Sequence, residues 1–203
     1  MGPEAPTETT PERPRTVVGI WLVPITPDDR IFLVENRIAK HESQKVPGQL
    51  NCPAETYRKA DDIGSFTQTI KRAVREEIGQ LDYNPFKVRA MGLIKLPDIG
   101  KPVVAAPYLI PVASEGCVTF EPKDVEESIN PQWLSIDEID HRTINIGQYE
   151  VPLFRTPMQE IVQMVRYQQN GRSQHFVHSN APIIGREVYD YLQSNSSSAL
   201  TLL

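Results

Sequence analysis

Residues 65–80, SFTQTIKRAVREEIGQ, constrain this chain more than any other stretch, because helix signals stand at both ends. Ser65, with Gln68 three positions on, forms a capping box. Gly79 occupies the position where a left-handed residue closes a helix. The spacing therefore predicts a helix over residues 66–78. At roughly 100° per residue, Phe66, Ile70, Val74 and Ile78 make one apolar stripe. Glu77 projects onto the margin of that stripe, and Ala73, Glu76 and Glu77 cluster on one side of the wheel. Arg72 precedes Glu76 by four residues, within reach of a side-chain pair. A carboxylate at the edge of a buried face is costly unless something compensates it. A divalent cation does so, since neighbouring helical glutamates supply hard oxygen ligands. A solvated helix face with an ion pair is the plainer alternative for the same triplet.

The flanking segments are strand-like. Residues 16–24, TVVGIWLVP, are mostly apolar and rich in β-branched side chains, and read as a strand buried on both faces. TPDD makes a turn, and residues 30–35, RIFLVE, return as the second strand of a hairpin. Residues 49–57 hold a short strand interrupted by Pro53. Residues 86–96 alternate loosely as a strand. Residues 103–112, VVAAPYLIPV, form another, which Pro107 and Pro111 place at an edge or a bulge. The GCVTF segment continues the sheet. Ser135 with Glu138 opens a brief helix, and residues 157–169 form a longer amphipathic one with Met158, Ile161, Val162 and Val165 on one side. Residues 174–178 read as a short strand and residues 187–192 as a last turn or two of helix. This order predicts an α/β or α+β sandwich.

A chain of 203 residues can hold one domain with a sizeable core and short appendages. The expected division is a Pro-, Glu- and Thr-rich tail over residues 1–15, a domain over 16–170 and an extension over 171–203. A net charge of −5 argues against a broad electrostatic grip on nucleic acid or on an anionic membrane. It is compatible with a site that collects divalent metal. Cys52 and Cys117 are too few for a disulfide framework and read as small buried residues in a reducing, cytoplasmic setting. No apolar run reaches the length of about 18 residues that a membrane span needs, and the first residues lack the apolar segment of a secretory signal. His41, His141, His175 and His178 show no metal-ligand spacing within a helix.

Taken with the order of elements, Arg72, Val74, Glu76, Glu77 and Gly79 resemble the helical half of the Nudix box, in register. Trp133 and the SIDEI stretch resemble the segment after that family's last strands. The similarity to Nudix hydrolases covers residues 16–166. It implies an α/β fold: a Nudix-like α/β/α sandwich with a mixed sheet, here with a C-terminal helical extension. It also implies hydrolysis of a diphosphate linkage in a nucleoside diphosphate derivative, with Mg²⁺ or Mn²⁺ neutralising phosphate oxygens and acidifying the attacking water. On the resemblance, Glu76 and Glu77 are metal ligands and Asp62 is a further one. Arg72 orients a glutamate, and Glu127, or its neighbour Glu126, is a general base from the acidic loop. The implied partner is a small nucleotide diphosphate, with no nucleic acid and no membrane. A homodimer contact or a cover over the pocket are both open to the extension.

Three departures from the family pattern stand out. Ala73 replaces a glutamate that the family uses for metal binding or water activation. Pro53-Ala54-Glu55 stands where the family usually has Pro-Gly-Gly, with Val46-Pro47-Gly48 as another candidate for that turn at a longer spacing. Asp61 and Asp62 lie near the first box glutamate, with extra residues before Arg72. The missing carboxylate weakens catalysis unless Asp61, Asp62 or a loop acid replaces it. The alternative reading is the same fold as a catalytically impaired nucleotide-binding or regulatory module.

Overall fold

The computed structural model describes residues 16–41, 44–58, 66–96, 102–123, 127–155, 157–171, 176–178 and 184–199. The first apolar run forms β1 (Val17–Ile25), and β2 (Arg30–Asn36) returns antiparallel through the pair Ile25–Ile31. Beyond that pair the chain re-enters between the two strands. β3 (Leu50–Asn51) pairs with β2 and β4 (Ala54–Thr56) pairs with β1, on either side of Pro53. The proline lacks a donor but not an acceptor: its carbonyl takes the Leu22 N–H at 2.8 Å.

α1 (Phe66–Ala73) continues directly into a π-helical turn, Val74–Ile78. β5 (Gly79–Leu81), β6 (Arg89–Ala90), β7 (Leu93–Lys95) and β8 (Val103–Pro111) follow. Then come β9 (Val118–Phe120), β10 (Ser128–Ser135), β11 (Thr143–Ile146) and β12 (Tyr149–Pro152). α2 (Met158–Gln169), β13 (Phe176–His178) and α3 (Arg186–Ala199) complete the chain. The Ser65 capping box lies outside the described residues. The capping box at Ser135 is formed: the Ser135 hydroxyl accepts from the Asp137 N–H, and Glu138 accepts from the Ser135 N–H.

The main sheet is mixed, in the order β10-β2-β1-β8-β7-β13, with β3, β4 and β6 attached beside it. β8 runs parallel to β1 from Val17–Val103 to Ile25–Pro111. β8 is therefore interior, not the edge strand its prolines predicted. The other predicted option, a bulge, is what accommodates Pro107. The facing chain breaks into β6 and β7 there, with Met91 N–H donating to the Pro107 carbonyl at 3.0 Å and Gly92 at φ 150°. Residues 118–120 do not extend the main sheet either. They form a separate antiparallel ribbon with β5.

Alternation along β1 and β2 sorts the core into two layers. Ile20, Leu22, Phe32 and Val34 face α1 and bury Ile70, Ala73, Val74 and Ile78. Trp21, Val23, Ile31 and Leu33 face α2 and bury Met158, Ile161, Val162, Met164 and Val165. A sheet covered on both faces explains the near-continuous apolar strands, and the predicted α/β/α sandwich is the observed architecture. α3 adds a third cluster, in which Val188 and Tyr189 pack on Val46 and Val151. No described helix is long and apolar enough to cross a membrane.

Candidate active site

β4 lies antiparallel to β1 with Glu55 opposite Ile20, so Glu55 projects from the sheet face that α1 covers. Arg72, at the end of α1, reaches it. Arg72 Nη1 is 3.0 Å from Glu55 Oε2, and Arg72 Nη2 donates to the Thr56 carbonyl at 2.7 Å. The same Nη1 lies 3.5 Å from Glu76 Oε2 in the π-helical turn. Two further guanidiniums flank the group: Arg58 Nη2 is 3.6 Å from Glu55 Oε1, and Arg75 Nη2 is 3.4 Å from Glu76 Oε1. The side chains of Glu55 and Arg72 are each 11% exposed and that of Glu76 is 22% exposed, so this is a half-buried charge network and not a surface pair. Burial pushes the Glu76 carboxyl up, but the Arg75 hydrogen bond, the Arg72 charge, a hydrogen bond with Glu55 and the Lys123 charge together outweigh it and hold Glu76 below the usual carboxylate range.

The chain after the helix fixes where these acids sit. Gly79 takes φ 107°, its N–H bonding back to the Val74 carbonyl. The Glu121 N–H meets the Ile78 carbonyl at 2.7 Å and the Lys123 N–H meets the Glu76 carbonyl at 2.9 Å. Loop 121–123 thus satisfies carbonyls that a helix end leaves open.

Ala73 departs from the expectation. It is fully buried among Ile20, Leu22 and Ile110 and does not turn to the site beside Glu76 and Glu77. Ala73 belongs to the buried side of α1, with Thr69 and Ile70, and the π-helical turn follows it from Val74. The turn's wider i→i+5 ring advances each residue through a smaller angle than a regular helix, which carries Glu76 further round from the side Ala73 occupies. Glu77 is half-buried on that turn.

Glu127 is held elsewhere. It pairs with Lys45 and, at 3.5 Å, with Lys40. Burial raises its carboxyl, and the lysines lower it further than burial raises it. A general base works best with a pKa near the operating pH, and this environment moves Glu127 the other way. Asp62, Asp61 and Glu126 lie outside the described residues. Trp133 is partly buried and packs edge-on to Phe32 at 5.3 Å, against the core. Glu55 is the member of the network that sequence reasoning marks as a departure without giving it a role. Its signal is an acid two residues after Pro53, where the family pattern has glycine.

Mg²⁺ asks for near-octahedral oxygen coordination. Among the described residues, no three His, Cys, Asp or Glu side chains are grouped to hold a metal ion. Glu55 and Glu76 are already bridged by the Arg72 guanidinium. The described residues thus present this pair of acids held by Arg72 and no open group of three ligands.

No family model matches this sequence, and no curated protein sequence does. Solved structures do match its fold. The Nudix domain of Shewanella oneidensis NrtR, in complex with ADP ribose, superposes with a TM-score of 0.55 at 12% identity, covering 80% of this chain and 94% of that one. A MutT Nudix hydrolase from Burkholderia pseudomallei gives 0.53 at 18% identity, over 74% and 98%. A Nudix hydrolase from Nitrosomonas europaea gives 0.53 at 22%, over 79% and 93%. The chain has the Nudix fold.

Proposed function

We propose that this Nudix-fold chain is a recognition or regulatory module that binds a nucleoside diphosphate derivative and whose hydrolytic chemistry is impaired. The burial of Ala73 carries this reading. The fold's helix presents Glu76 and Glu77 but has a methyl group inside the core where the resemblance calls for a third acid. Restoring that acid by a side chain at this position would drive a charge into an apolar layer. The general-base candidate, Glu127, is bound to two lysines. For the ligand, the NrtR domain shares the fold and holds ADP ribose, so ADP ribose is the first member of the class to test.

A second reading is a metal-dependent hydrolase of the same ligands. The observation favouring it is the register of Arg72, Glu76, Glu77 and Gly79 on the helix that the resemblance identifies. One experiment separates the two. The chain is incubated with a panel of nucleoside diphosphate derivatives and Mg²⁺, with product formation and binding measured in parallel. Binding without turnover supports the module; Mg²⁺-dependent turnover lost in Glu76→Gln supports the hydrolase.

A further inference from the structure

We propose that the Arg72 guanidinium is the resident cation of this site, occupying the place between Glu55 and Glu76 where a divalent ion would otherwise be gathered. The inference deepens the binding-module reading and rests on it for the ligand, but the cation itself is tested without any nucleotide. Three observations support it. The first is bridging geometry: a single nitrogen, Arg72 Nη1, is 3.0 Å from one carboxylate and 3.5 Å from the other. The second is anchorage. Arg72 Nη2 donates to the Thr56 carbonyl at 2.7 Å, so the guanidinium is held to β4 by the backbone as well as by charge. The third is the local charge. Arg58, Arg72 and Arg75 meet Glu55 and Glu76, and these five side chains together offer a dication no net negative field.

Glu55 is the residue that makes the arrangement possible. It stands where the family pattern has the second glycine of Pro-Gly-Gly, and its carboxylate gives Arg72 a partner on β4 besides Glu76 on its own helix. Breaking a buried pair leaves an uncompensated charge that costs far more than the pair itself contributes. Removing Arg72 therefore leaves two adjacent half-buried acids in need of a cation. This reverses the sign of the usual expectation. An arginine that orients a metal-bound glutamate strengthens metal binding, whereas an arginine that replaces the metal prevents it.

The test is Mn²⁺ binding to the full chain, followed by electron paramagnetic resonance of the free ion. The wild-type chain is expected to bind Mn²⁺ no better than Glu76→Gln. Arg72→Gln is expected to gain at least tenfold in affinity, and the added Glu55→Gln substitution to abolish the gain. Mn²⁺ binding by the wild type that weakens in Arg72→Gln overturns the proposal, and so does equal binding by the two. If Arg72→Gln does not fold, thermal unfolding of the wild type decides. Equal Tm in EDTA and in Mg²⁺ is expected, and a Mg²⁺-dependent rise that Glu76→Gln removes overturns the proposal. Failure of nucleotide binding leaves these outcomes untouched and bears on the proposed ligand alone.

Discussion

Gly79 and Glu121 approach so closely that a Cβ on the glycine would lie 2.7 Å from the Glu121 carbonyl oxygen and 2.8 Å from its nitrogen. With φ at 107°, the position also excludes side chains on backbone grounds. This contact closes the helix that carries Arg72, Glu76 and Glu77, and it clamps that helix to the ribbon of β5 and β9, where Gly79 pairs with Phe120. Gly79→Ala should cost about 1–3 kcal/mol in denaturant unfolding, and it should weaken ligand binding because the Glu76 carbonyl loses its register with Lys123. An unchanged midpoint would mean that the loop yields and the clamp is loose.

Ala73→Glu separates a buried position from a vacant catalytic one. Its Cβ lies among apolar side chains from β1, β8 and α1. A glutamate there should lower stability by about 3 kcal/mol and should confer no Mg²⁺-dependent turnover. A stable variant that gains turnover would show that the helix can rotate this position into the site.

Acid should act through Glu127. Its folded pKa is below the ordinary value of 4.5 because Lys45 and Lys40 favour the charged form more strongly than burial disfavours it. A depressed carboxylate contributes stability that is full above 4.5 and is lost as pH falls through the folded value. Glu127→Gln should therefore lower Tm at neutral pH, and the gap from wild type should close below pH 4.5. A gap of constant size down to the acid limb would assign the loss to packing and not to charge.

The C-terminal segment should prove part of the fold. Val188 and Tyr189 of α3 cover Val46 and Val151. Beneath them Arg155 stacks 4.9 Å from the Trp21 ring, its guanidinium lowered to about 10 by burial. Truncation before residue 184 returns apolar side chains to water at about 1.5–3 kcal/mol each if fully uncovered. A marked fall in the denaturation midpoint is expected. An unchanged midpoint would make the extension a detachable appendage.

How much of the fold is legible in the sequence depends on the range of each signal. β1, β2 and α2 are readable because hydrophobic periodicity is local, and Met158, Ile161, Val162 and Val165 are all buried as the pattern requires. The interruption at Pro53 is readable for the same reason. The interior place of β8 is not, because the parallel partnership with β1 is a long-range choice that a strand's own residues do not encode. The π-helical turn is invisible to a wheel drawn at a fixed angle, and this misplaces Glu76 relative to Ala73. The pairing of Glu55 with Arg72 is hidden too, since two separately read segments meet only after β4 pairs with β1. α3 extends from Arg186 to Ala199, beyond the expected turn or two, through a serine-rich sequence of low apolar content.

The most direct measurement is calorimetric titration of nucleoside diphosphate derivatives into the chain, in EDTA and in Mg²⁺, with the reaction mixture assayed for cleaved product. Binding of comparable affinity in both buffers, with no product in either, is the expected result. Binding that appears only with Mg²⁺, accompanied by cleavage that Glu76→Gln abolishes, would contradict it.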